Sequence, residues 1–162
     1  MRTIATGLLV LALAHGGAAA QTAGEHAQIL RDFQRNVADY TQRHQCLDLF
    51  PEAINAATPA PRIFTLPVAM VFRQVIANAL AGSDGGAAFS GVDAAEHVAV
   101  LQPFPATKLY DFPRVLADAL PVLPEPLEYR LIGHDLVVRD RASDLVVGVL
   151  REAVGTALSI RQ

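Results

Sequence analysis

The chain has no tryptophan, one cysteine and little charge: of 162 residues, 18% are charged and 6% aromatic, and the net charge is −3 at pH 7. Each scarcity narrows the reading. A slightly acidic chain has no electrostatic footing on a phosphate backbone, so no nucleic-acid partner is expected. Without Trp, and with few other rings, there is little from which to build a stacking platform for bases or sugars. A lone Cys46 leaves no internal disulfide, so stability must come from packing. Cys46 is either a small buried apolar residue or a thiol that pairs with another chain. Catalytic signatures are lacking too. There is no Gly-x-Ser-x-Gly, and the loop Gly82-Ser83-Asp84-Gly85-Gly86 lacks the Gly-Lys-Ser/Thr ending that would cradle a phosphate. A Cys46 nucleophile would need His97 or His134 brought beside it by the fold. No motif supplies nucleophile, base and oxyanion donors together, so the expectation is a non-enzymatic protein without a cofactor.

What is present begins with a leader pattern. Arg2 precedes a short apolar run over 4–14, Gly16-Gly17 breaks it, and Ala18-Ala19-Ala20 precedes Gln21. A positive charge, a short apolar core and a small-residue site, in that order, read as a secretory signal peptide over 1–20, cleaved after Ala20. The run is too short for a comfortable membrane span, and no later segment is long and uncharged enough to form one. No Cys follows the leader, which argues against a lipid anchor. The expected product is a single small α+β domain over 21–162, soluble beyond the inner membrane and periplasmic or secreted.

The hydrophobic spacing predicts a long amphipathic helix over 24–50, with Ile29, Phe33, Val37, Tyr40, His44 and Leu47 on one face and Pro51 as its stop. A partner-binding helix would carry the same pattern. A second, well-buried helix is predicted over 66–80. Thr65 precedes it, Pro67 lies in its first turn, and Val68, Val71, Phe72, Val75, Ile76 and Ala79 form its stripe. Shorter helices are expected over 90–101 and, capped by Asp111, over 112–120. Pro103 and Pro105 force an extended segment between them.

Residues 127–150 carry the densest β-branched and aliphatic pattern in the chain, interrupted at turn-sized intervals. They predict a three-strand antiparallel meander. Gly133-His134 suits a two-residue hairpin with glycine first, 141–144 makes the second turn, and Gly148 marks a bulge or a close approach by another backbone. Such a sheet needs a covering layer, and the upstream helices are the expected cover.

The pattern Leu127-Glu128-Tyr129-Arg130, Gly133-His134-Asp135-Leu136-Val137-Val138-Arg139-Asp140 and Leu145-Val146-Val147 resembles the C-terminal signature of a family of uncharacterised exported bacterial proteins. Ile63-Phe64-Thr65-Leu66-Pro67-Val68, followed by Phe72-Arg73, resembles a second block of that family. His134 stands where the family tends to carry Arg, and the helical segment before Phe64 is contracted here. The resemblance implies export and a small α+β fold, and no activity. The hairpin is also similar, more weakly, to the C-terminal unit of small periplasmic proteins linked to nickel and cobalt homeostasis.

Two sets of residues remain as site candidates. His44 and Asp48 share a helix face and His134 adjoins Asp135, so these four are the metal candidates. Surface ion pairs or turn hydrogen bonds explain both pairs more simply, and no histidine sits in a tight ligand motif. Asp135, Arg139, Asp140 and Arg141 form an expected mixed-charge rim near the turns, with its carboxylates solvated. Such a rim either meets an envelope partner or blunts a sheet edge against aggregation. The expected function is that of a small exported interaction or accessory module; the alternative is a periplasmic metal-binding or metal-homeostasis protein.

Overall fold

A computed structural model of the protein describes residues 17–47, 61–81, 97–108 and 111–154, with α1 side chains described over 23–43. Among the described residues three α-helices, α1 (Gly17–Leu47), α2 (Leu66–Ala81) and α3 (Arg114–Ala119), precede strands β1 (Leu127–Ile132), β2 (Asp135–Asp140) and β3 (Leu145–Leu150). A short 3-10 turn, Ala106–Lys108, lies between α2 and α3. The fold is α+β, and the strands form one antiparallel sheet in the order β1-β2-β3.

The meander follows its residues closely. Ile132 pairs with Asp135 across a two-residue turn. Gly133 has φ 57 while His134 stays at negative φ, as a glycine-first hairpin turn requires. In β3 the register shifts between Val138 and Arg139: Val138 faces Gly148 and Arg139 faces Val146, so Val147 is the extra residue of a bulge. The bulge changes the alternation of faces. Val147 packs in the helix-side core, and a Cβ added at Gly148 would point the same way, 3.2 Å from the Ile63 Cβ and 3.3 Å from the Phe64 ring. Gly148 is therefore both a bulge neighbour and a point of close approach, and the approaching groups are side chains.

The helix layer covers one face of the sheet. Phe33 and Val37 of α1, and Val68, Phe72 and Ile76 of α2, pack with Leu127, Leu136, Val138, Val147 and Leu150. Five of the described aromatics meet at this junction. Phe33 meets Phe72 at 4.7 Å between ring centres, Phe64 meets Phe72 edge-on at 5.4 Å, and Tyr129 of β1 sits between Phe72 and Phe112. Buried pairs of this kind add to the area they bury. Tyr129 is partly buried and donates its hydroxyl to the Pro121 carbonyl at 3.0 Å. Burial pushes its phenol well above the ordinary tyrosine range.

The second face has a different cover. Residues 97–108 form an irregular strap across it. Phe104 is buried there with Ile132, Val137 and Val146, and Val98 and Val149 flank the group. Of the helix expected over 90–101, residues 90–96 lie outside the described residues and the rest is not helical: His97 to Ala99 have no regular structure, and Val100 and Leu101 lie in a turn. Leu101 takes φ 67, which a helix does not allow, and its N–H bonds to the Val146 carbonyl at 2.7 Å. Pairing with the edge of β3 has replaced helical bonding.

Other boundaries also move. α1 begins at Gly17, seven residues before the expected start, because the Ala-rich segment is itself a strong helix former. Residues 48–60, 82–96 and 1–16 lie outside the described residues, and with them Asp48, the expected stop at Pro51, the glycine loop and most of the leader. Asp111 does not cap α3; Pro113 occupies the cap position and no side chain bonds there. Thr65 leads into α2, and its carbonyl accepts the Ala69 N–H at 2.8 Å. No helix among the described residues is long and apolar enough to cross a membrane.

The tight contact at Gly148 makes a direct prediction. Gly148→Val forces the Ile63 and Phe64 side chains aside and should destabilise the protein by about 1–3 kcal/mol. The check is a lower urea midpoint with an unchanged m-value.

Candidate functional site

Strand β2 alternates faces, so its carboxylates at positions 135 and 140 face opposite layers. Both are buried, at 2% and 1% exposure. A buried carboxylate must be bonded, and each is.

Asp135, at the hairpin end, lies on the strap side. Its Oδ2 accepts from Arg151 Nη1 at 2.5 Å, and its Oδ1 accepts the Glu152 backbone N–H at 2.8 Å. His97 Nδ1 lies 3.3 Å from Oδ2, the longest of the three contacts, and the His97 side chain is 60% exposed. Arg151 also donates to the Val98 carbonyl at 2.6 Å, while its own carbonyl accepts from Arg73 of α2 at 2.9 Å. One carboxylate thus ties the start of the strap and the chain after β3 to the sheet.

Asp140, at the other end, faces the helices. Its Oδ2 accepts the Tyr40 hydroxyl of α1 at 2.9 Å. Its Oδ1 accepts the backbone N–H groups of Ala142 and Ser143 at 2.8 and 3.4 Å, which shapes the second turn. Between the two carboxylates, on the strap side, runs a chain of charges. Glu128 accepts from Arg130 at 2.7 Å and from Arg139 at 2.9 Å, and Arg139 pairs with Asp144 at 2.6 Å. Burial works against the Arg139 charge, but its hydrogen bonds to Asp144 and Glu128 outweigh it and raise the pKa above the usual guanidinium value. The Arg139 guanidinium lies 5.1 Å from the centre of the Phe104 ring.

The candidates therefore separate. Asp135 and Asp140 are not solvated, and with Arg139 and Arg141 they do not make one rim. Asp135 is five residues from Asp140 along β2, about 17 Å. Arg139 is mostly enclosed, and Arg141 reaches towards Glu125 at 3.5 Å. The reason is that both sheet faces are covered, so neither direction of alternation leads to water. Asp135 meets His97 rather than its neighbour His134, whose carbonyl instead accepts the Val154 N–H at 3.0 Å. The His44 side chain, Asp48 and the Cys46 thiol lie outside the described residues. Among the described residues no group of three or more His, Cys, Asp or Glu could hold a metal ion.

The residues that the pattern did not signal are His97 as the partner of Asp135, Arg151, and Tyr40 in its polar role. Tyr40 reads as an apolar helix position, and a separation of 100 residues from Asp140 leaves no local trace. One concave feature lies on the helix layer. Leu30 and Gln34 of α1, Phe72 and Val75 of α2, and Leu120 and Pro121 after α3 line an open, mainly apolar cleft of about 300 Å³.

Comparison of the chain with protein-family models, curated proteins and solved structures returns no match.

The Tyr40–Asp140 bond is the polar link between α1 and the sheet. Tyr40→Phe removes one donor from a buried carboxylate and should lower stability by about 1–3 kcal/mol in urea unfolding. A surface contact would leave the midpoint unmoved.

Proposed function

We propose that this protein is a small exported interaction or accessory module of the cell envelope, and not an enzyme. The observation that carries the reading is where the buried charge is used. Asp135 joins the strap and the residues after β3 to the sheet, Asp140 joins α1 and the second turn to it, and Arg139 bridges Glu128 and Asp144. These are ties between chain segments. The His97–Asp135 pair is the arrangement nearest to a general base, but its carboxylate is closer to Arg151 and to the Glu152 amide than to the imidazole. The small apolar cleft between α1, α2 and the end of α3 is a candidate contact point for such a partner.

Export rests on the leader pattern over 1–20 and on the family resemblance of the 127–147 signature. Fusing residues 1–25 to a reporter that is active only outside the cytoplasm should give activity, and the exported full-length chain should begin at Gln21. An inactive fusion with a retained N-terminus would overturn the export reading. Equilibrium dialysis with nickel, cobalt and zinc separates the module from a metal-binding protein. The expected result is no stoichiometric binding; one bound ion per chain, lost in His134→Ala, would establish the metal reading instead.

A further inference from the structure

We propose that the outer edge of β3, with the apolar hollow beside it, is a groove for a peptide segment anchored by one aromatic residue between prolines, and that the chain fills this groove with its own residues 98–105. The proposal deepens the interaction reading and rests on it.

The strap is held as a bound peptide is held. Its main chain pairs with the edge of β3: Leu101 N–H to the Val146 carbonyl at 2.7 Å, Val146 N–H to the Gln102 carbonyl at 2.9 Å, and Phe104 N–H to the Asp144 carbonyl at 2.8 Å. Pro103 forms an antiparallel bridge with Leu145. Such bonds supply attachment without reading sequence, and a side-chain pocket supplies the choice. The pocket here is the hollow of Ile132, Val137 and Val146, in which Phe104 is 3% exposed. The Arg139 guanidinium, fixed by Glu128 and Asp144, sits against the ring and favours an aromatic over an aliphatic anchor. Pro103 and Pro105 on either side of the anchor keep the backbone extended. The occupant is thereby defined as a segment of the pattern Pro-Phe-Pro or its aromatic equivalents.

Two features favour exchange of the occupant. Leu101 holds a left-handed conformation that L-residues other than Asn and Asp rarely adopt, so the chain's own segment sits in the groove under strain. At the strap's start the Arg151 side chain, which donates to the Val98 carbonyl, is partly exposed, so water can take its place there.

The test uses the full chain. A fluorescent peptide with the sequence of residues 97–108 is titrated into the wild-type protein and into Phe104→Ala. The expected result is saturable binding to Phe104→Ala, at least about tenfold weaker binding to wild type because its groove is filled, and none by a peptide with alanine in place of Phe104. A folded Phe104→Ala protein that ignores the peptide would overturn the groove. If Phe104→Ala does not fold, hydrogen exchange of the wild-type protein decides. Leu101 and Phe104 amides that exchange by a local opening, well before those of β2, support the groove; exchange only with global unfolding overturns it. Either negative outcome leaves the helix-side cleft, and the broader interaction reading with it, standing.

Discussion

The structure depends on burying β2 on both of its faces. A three-strand sheet with one bare face would leave either Leu136 and Val138 or Val137 in water, and all three are fully buried. The chain meets this constraint with two covers of different kinds. Helices α1 and α2 bring long apolar stripes and a cluster of rings to one face. A short strap brings one phenylalanine and an edge pairing to the other. The unequal covers explain the bulge in β3, which turns both Val147 and Gly148 to the thicker helix layer while Val146 and Val149 stay on the strap side.

Polar chemistry then fixes what hydrophobic burial leaves free. Burial is non-directional, and it does not set how far α1 slides along the sheet or where the strap begins. The Asp140–Tyr40 bond sets the first, and the Asp135 cluster sets the second. Carboxylates without partners in these places would be expensive, so each also marks a position where an alternative arrangement is penalised. These polar groups are engaged with the chain itself.

Much of this architecture is legible in the residues. The stripes of α1 and α2, the glycine-first hairpin, the 141–144 turn and the bulge beside Gly148 all follow from local spacing and turn chemistry; that side chains and not a backbone approach Gly148 does not. The second cover does not. Leu136-Val137-Val138 is a continuous apolar run, which implies burial on both faces. Local pattern does not say what lies on the second face, because the answer comes from residues about 30–40 positions away that look like a proline-broken loop. The same gap explains the misplaced carboxylates. Asp beside a turn is normally solvated, and only the strap and Tyr40 make these two buried.

The measurement that bears most directly on the two-sided burial of β2 is a set of NOE contacts from the methyl groups of its three central residues. The Phe104 ring should report to the methyls of Val137, Val146 and Ile132, while Leu136 and Val138 report only to the helix layer. A Val137 methyl with no aromatic contact, exchanging its environment with water while Leu136 and Val138 remain packed, would contradict the account.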